Sequence, residues 1–221
     1  MSEELWSAVD LYITEKLVRS DPALTAAIDL CEEKGLPPIS VAPNQGKFLH
    51  MLAQIQGAQR ILEIGTLGGY STIWLARALP TTGRLVTLEI DPGHAEIARE
   101  NIARAGLSGV VEVRVGRALD LLPALLAERQ GAFDFIFIDA DKANIPEYLA
   151  WSLKLSRPGT LIIVDNVVRE GEVANPASTD ASVRGVRRFM DLVAADKRLE
   201  ATAIQTVGGK GYDGFALVRV K

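Results

Sequence analysis

Cysteine occurs once in this chain, as Cys31, and histidine only twice, as His50 and His94. A lone thiol forms neither an intrachain disulfide nor a thiolate cluster, which suits a reducing compartment. Two separated imidazoles leave any bound metal to be held mainly by oxygen. No apolar run approaches the ~18 residues of a membrane span, and the opening Met-Ser-Glu-Glu is acidic where a signal peptide would be basic. A soluble, cytoplasmic protein is expected. Positive charge is not in excess either: 24 basic against 28 acidic side chains give a net charge of −4, so no overall field holds a phosphate polymer. A G-x-S-x-G elbow, a P-loop lysine signature and zinc-ligand spacing are all missing, which leaves acyl hydrolysis, nucleotide-triphosphate hydrolysis and zinc catalysis without support. What remains is 221 residues, 48% hydrophobic and 24% charged, enough chain for one α/β domain with a sizeable core.

The chain opens with helical patterning. Leu5, Val9, Ile13 and Leu17 recur every four residues, and Leu24, Ile28 and Cys31 do much the same. Gly35-Leu36-Pro37-Pro38 stops the second helix, and Pro43 suits the first turn of a third, on which Phe48, Leu49, Leu52 and Ile55 are expected to share a face. Residues 1–58 thus read as an N-terminal helical cap, and 59–221 as the core of a single domain spanning 1–221. From Arg60 onward, short β-branched runs alternate with helical stretches: Ile61 to Ile64, Arg84 to Glu89, Val110 to Val115, Phe133 to Ile138 and Thr160 to Val164. That rhythm predicts a mostly parallel, doubly wound, Rossmann-like sheet. The last two strands, Ala201 to Val207 and Gly214 to Val220, are separated only by a glycine-rich turn with no room for a crossover helix, so the final strand is expected to run antiparallel. Arg169 to Ser182 carries the weakest pattern and reads as a loop beside a site.

Two places carry chemistry. Gly65-Thr-Leu-Gly68-Gly69-Tyr-Ser71 follows the first core strand and opens a helix, where a doubly wound fold presents its ligand crevice. A dinucleotide fingerprint begun at Gly65 needs glycine at positions 67 and 70, which are Leu67 and Tyr70, so a pyrophosphate ligand and a nicotinamide oxidoreductase are disfavoured. Glu63 is awkward beside a phosphate but suits a cationic ligand, such as the sulfonium and ammonium of S-adenosylmethionine. Glu89 ends the second strand, 20 residues past Gly69, where a carboxylate can accept both hydroxyls of an adenosine ribose. The second place is an oxygen cluster. The strand ending at Ile138 runs into Asp139-Ala-Asp141-Lys142, and the next ends in Asp165-Asn166. Each acid taken singly reads as a helix cap. If the two strands are neighbours, Asp139, Asp165 and Asn166 converge as hard ligands for Mg²⁺, with Mn²⁺ or Ca²⁺ as substitutes, and leave coordination positions for a vicinal diol. Lys142 beside such a cation can take a hydroxyl proton. Trp6, Trp74 and Trp151 read as core or interface residues, His50 and His94 as surface or packing residues, and Arg184, Arg187 and Arg188 as a solvated helix face.

Leu62-Glu-Ile-Gly-Thr-Leu-Gly-Gly-Tyr-Ser71, Thr87-Leu-Glu-Ile-Asp91, Phe135-Ile-Phe-Ile-Asp-Ala-Asp-Lys142 and Val164-Asp-Asn166 together resemble the metal-dependent class I S-adenosylmethionine O-methyltransferases of the caffeoyl-CoA and catechol type, from Val41 to the final hairpin. The resemblance implies a seven-stranded sheet with an antiparallel last strand, and commonly a homodimer. It places Val41, Glu63, Gly65, Thr66 and Ser71 around the methionine part of the cofactor, Glu89 on the ribose and Ala118 beside the adenine, with Asp141 also touching the cofactor. It makes Asp139, Asp165 and Asn166 the metal ligands, and Lys142 and Asp139 catalytic. The implied reaction is methyl transfer to a hydroxyl of a catechol-like small molecule; the alternative acceptor is a hydroxylated base in tRNA, which the net negative charge disfavours. Ile145-Pro146 and Gly211-Tyr-Asp-Gly214 depart from the family's usual pattern and point to a different acceptor pocket.

Overall fold

A computed structural model describes residues 2–19 and 21–221. Three helices come first: α1 (Glu3–Leu17), α2 (Pro22–Glu33) and α3 (Pro43–Ile55). Asp21 caps α2 by accepting the amides of Ala23 and Leu24, and prolines occupy the opening turns of α2 and α3, where no backbone donor is needed. The body then alternates β1 (Arg60–Ile64), α4 (Tyr70–Ala76), β2 (Arg84–Glu89), α5 (Pro92–Arg104), β3 (Val111–Val115), α6 (Ala118–Ala127), β4 (Phe133–Ile138), α7 (Ile145–Lys154), β5 (Ser156–Asp165) and α8 (Ala181–Ala195). The hairpin β6 (Leu199–Gly208) and β7 (Gly211–Val220) closes the chain. The sheet order is β3-β2-β1-β4-β5-β7-β6, with β7 inserted antiparallel beside β5 as the two-residue turn requires.

Alternation along the strands sorts their side chains into two layers. Leu62, Ile64, Ile136 and Ile138 pack beneath α6, α7 and α8, and Ile61, Phe135, Phe137 and Ile163 beneath α2, α3, α4 and α5. Leu24, Ala27, Leu49 and Ala53 of the N-terminal helices belong to that second layer. Three expectations change in detail. β5 begins at Ser156, four residues early, because a register shift between Phe133 and Phe135 lets it pair around Gly159. Ile55 lies beyond the sheet at the end of α3 and is 79% exposed, and the buried stripe of that helix is Gly46, Leu49 and Ala53. The first half of the segment expected to be a loop, Arg169–Ala174, is wound into short 3-10 turns, and α8 starts at Ala181 on an Asp180 cap. α1 buries no residue, and no helix among the described residues is long and apolar enough to cross a membrane.

Candidate active site

The carboxyl ends of β1, β2, β4 and β5 meet at one edge of the sheet, since these strands are parallel neighbours. A cavity of about 740 Å³ opens there. On its wall lie Val41, Gly65, Thr66, Ser71, Glu89 and Ala118, six positions expected from the sequence. The turn after β1 is shaped by Gly65 at φ 100°, Leu67 at φ 51° and Gly69 at φ 82°. Glu89 holds that turn: its Oε2 accepts the amides of Thr66 at 3.1 Å and Leu67 at 2.7 Å, and its Oε1 accepts the amide of Asp91 at 3.0 Å.

Glu63 is the exception among the expected residues. It is fully buried and absent from the cavity wall, because residue 63 points to the layer beneath α4. Its carboxylate accepts the hydroxyls of Ser71 at 2.7 Å, Thr72 at 2.5 Å and Thr87 at 2.7 Å. Burial pushes its pKa up to about 7, against the pull of those three hydroxyls. Glu63, expected beside a cationic ligand, thus reaches the cavity wall only through Ser71, whose hydroxyl it accepts and which does line the cavity.

The oxygen cluster assembles as the strand order demands. Ile138 of β4 is in register with Val164 of β5, so Asp139 and Asp165 emerge side by side. Asp139 Oδ1 accepts from Lys142 Nζ at 2.7 Å, and the Lys142 side chain is only 10% exposed. Asp165 is buried; its Oδ2 accepts from Gln45 Nε2 at 2.7 Å and its Oδ1 from the Asn166 amide at 2.9 Å. Burial raises the Asp165 pKa, the negative charge of Asp139 raises it further, and Lys142 offsets part of this. Asn166 sits at φ 56° and lines both this cavity and a second one of about 580 Å³ on the other side. Asp139, Asp141 and Lys142 face the first cavity; Asp165 faces the second. Among the described residues no group of three or more His, Cys, Asp or Glu side chains forms a metal cluster. Asp139, Asp165 and Asn166 offer two carboxylates and one amide, without sulfur or imidazole. Two adjoining carboxylates, one of them buried, against a single ammonium leave a negative excess that fits a hard divalent cation.

Several functional neighbours escaped the sequence reading. Asp141 has both oxygens engaged, Oδ1 by the Tyr148 hydroxyl and Oδ2 by Asn144 Nδ2 at 2.6 Å, and only the Asp141-x-x-Asn144 spacing hinted at this. Gln45, a polar residue in the first turn of α3, touches Asp165 from 120 positions away. Trp6, Phe48 and Phe215 wall the second cavity, the two phenyl rings 5.1 Å apart. His94, read as surface or packing, lines the first cavity, whereas His50 packs as expected, its Nδ1 3.0 Å from the Trp74 carbonyl.

A family model described as O-methyltransferase matches residues 15–221. A catechol O-methyltransferase from Niastella koreensis is 54% identical over 221 residues, covering 100% of both chains. An O-methyltransferase from Bacillus cereus, solved in complex with SAH, is 58% identical with a TM-score of 0.98, again covering 100% of both chains. The O-methyltransferase TomG from Streptomyces achromogenes, involved in tomaymycin synthesis and solved with SAM, is 52% identical with a TM-score of 0.97, covering 100% of this chain and 99% of that one.

Proposed function

Because the chain belongs to the O-methyltransferase family and is an S-adenosylmethionine-dependent O-methyltransferase, we propose that its acceptor is a small catechol-like vicinal diol and that Asp139, Asp165 and Asn166 hold a divalent cation during transfer. The relative's name, catechol O-methyltransferase, supports the acceptor class. The observation that carries the reading is Asn166, which borders both cavities at the point where Asp139 faces one and Asp165 the other. Donor and acceptor chambers meet at the oxygen cluster.

In this reading Val41, Gly65, Thr66 and Ser71 surround the methionine part of the donor, with Glu63 orienting Ser71 from below. Glu89 meets the ribose, Ala118 borders the adenine, and Asp141, fixed by Tyr148 and Asn144, touches the cofactor. The donor supplies a methyl group on a positively charged sulfur. A divalent cation, Mg²⁺ by the all-oxygen donor set or Mn²⁺ or Ca²⁺ in its place, supplies Lewis acidity toward a hydroxyl oxygen. Lys142 Nζ donates to Asp139 at 2.7 Å; with the cation on Asp139 in its place, Lys142 would take the hydroxyl proton as the neutral amine. Gln45 fixes the Asp165 carboxylate, and the rings of Trp6, Phe48 and Phe215 orient an aromatic acceptor. Holding the reacting atoms in line accounts for up to ~7–11 kcal/mol of the barrier. The same reading includes a homodimer, supported by the exposed Leu5, Val9, Leu11 and Tyr12 of α1, and a cytoplasmic location.

The test is Asp165→Ala together with a chelator titration of the unaltered protein. Mass spectrometry of products from labelled donor should show methylation of catechol abolished in both, while calorimetry shows donor affinity nearly unchanged. Full activity after exhaustive demetallation, or equal loss of donor binding in Asp165→Ala, overturns the division of the site. A labelled product found in RNA instead of the diol replaces the acceptor.

A further inference from the structure

The second cavity ends inward at Asp165 and Asn166, so an acceptor whose hydroxyls reach the oxygen cluster keeps the rest of its body inside that cavity. The charged lining is one-sided. Glu3, Asp10, Asp165, Glu170 and Asp213 stand against a single ammonium, Lys210. Asp165 belongs to the oxygen cluster. Asp213 is neutralised, since Arg169 lies 3.3 Å from it and the amides of Val168 and Arg169 donate to its Oδ1. Asp10 accepts only from neutral groups, Asn44 Nδ2 and the Gly209 amide, each at 2.8 Å. No ion pair among the described residues includes Glu3, Asp10 or Glu170. Lys210 is in no ion pair among the described residues; its Nζ donates to the Pro38 carbonyl at 2.7 Å. The part of the cavity away from the oxygen cluster therefore carries uncompensated negative charge over aromatic walls, a surface that favours an ammonium group by both Coulomb attraction and ring quadrupoles.

We propose that this cavity sorts diol acceptors by the charge of their tails, preferring a protonated amine and disfavouring a carboxylate or a phosphate-bearing thioester, with Glu170 and Glu3 as the specificity-determining residues. The proposal rests on the diol reading above. Glu170 is exposed on the turn that follows Asn166, and Glu3 begins α1; neither makes a structural hydrogen bond, so their charge is available to a ligand. Exposed carboxylates are screened by water and salt, so the discrimination between ammonium and carboxylate tails is about tenfold in kcat/KM at ~0.15 M ionic strength.

The experiment compares three acceptors that share a dihydroxyphenyl ring and differ only in a tail ending in ammonium, uncharged amide or carboxylate, using the full chain with added Mg²⁺. Expected is an order of ammonium, amide, carboxylate, expressed mainly in KM. The spread contracts in Glu170→Gln, contracts further in the Glu3→Gln/Glu170→Gln double variant, and shrinks as ionic strength rises from about 0.05 to about 0.5 M. Thermal unfolding certifies that the variants are folded; should the double variant fail, Glu170→Gln and the salt series decide alone. A carboxylate tail used as well as the ammonium tail, or a preference untouched by substitution and salt, overturns the charge proposal and leaves methyl transfer to diols standing. No methylation of any of the three overturns the diol reading itself.

Discussion

Gly65→Ala tests a close backbone approach in the site. Gly65 follows the last residue of β1 at φ 100°, and a methyl group there falls 2.1 Å from the Asp139 carbonyl oxygen and 2.7 Å from its carbon. A carbon and a carbonyl oxygen meet at about 3.3–3.6 Å even in their closest favourable contacts, so the end of β4 must retreat by more than ~1 Å. The left-handed backbone costs alanine a further ~1–2 kcal/mol. The retreat also pulls on the bond from the Asp139 amide to the Ile64 carbonyl, 2.8 Å long and worth about 1 kcal/mol net. These two terms alone sum to roughly 2–3 kcal/mol of stability, a large fraction of the ~5–15 kcal/mol that holds a domain, and the retreat of β4 adds to them. Because Asp139 carries Lys142 and adjoins Asp165, a shift of this size is also expected to lower kcat/KM by about a hundredfold beyond any loss from unfolded protein. Urea unfolding and steady-state methylation of the same preparation measure the two effects separately. A variant within ~0.5 kcal/mol of the parent refutes the close approach, and a destabilised variant with unaltered turnover refutes the link between that approach and the oxygen cluster.

Gly68→Ala should be destabilising because its new methyl lies 2.0 Å from Cys31 Sγ, and Cys31→Ala in the same chain should recover part of the loss; a double-mutant cycle in urea gives a coupling of ~0.5–3 kcal/mol, and strict additivity defeats the packing argument. Glu63 predicts a pH dependence: its folded pKa of about 7 exceeds the ordinary value of 4.5, so the folded chain binds this proton more tightly than the unfolded one. The penalty is absent below pH ~4.5, grows as pH rises and is complete above pH ~7 at on the order of 3 kcal/mol. Unfolding free energy of the parent relative to Glu63→Gln should fall by that amount across the interval, and a difference that stays flat with pH rules the buried charge out.

The carboxyl ends of β1, β2 and β4 and the pairing of Asp139 with Asp165 were legible because they depend on local pattern and one rule: carboxyl ends of adjacent parallel strands open on the same crevice. The orientation of Glu63 was not. A central parallel strand is covered on both faces, so Ile61, Leu62 and Ile64 around Glu63 are apolar whichever way they point, and nothing local says that residue 63 lies under α4 while its neighbours face α6 and α7. The second cavity was illegible for a different reason. Its walls come from α1, α3 and the β6–β7 hairpin, and the bond between Asp10 and the Gly209 amide joins positions 199 apart. Trp6 and Phe48 fit a helical stripe equally well whether they meet core or ligand.

One device recurs on both sides of the oxygen cluster. In the donor loop, Leu67 adopts a left-handed backbone at φ 51°; in the loop after β5, Asn166, Arg169 and Glu170 do so at φ 56°, 54° and 55°. Non-glycine residues in such conformations cost of order 1–3 kcal/mol each and persist only when their surroundings dictate them. In each loop a carboxylate from another strand supplies that dictation: Glu89 at the end of β2 accepts the consecutive amides of Thr66 and Leu67, and Asp213 of β7 accepts those of Val168 and Arg169. A carboxylate gripping two successive amides fixes the path of the turn more firmly than a neutral acceptor, since charge-assisted bonds are roughly twice as strong. The turn after β1 is thereby held against β2 and the Asn166 turn against β7, and the cluster between them inherits its spacing from two clamps anchored in the same rigid sheet. This explains why side chains drawn from separate loops keep one geometry without a disulfide to pin them.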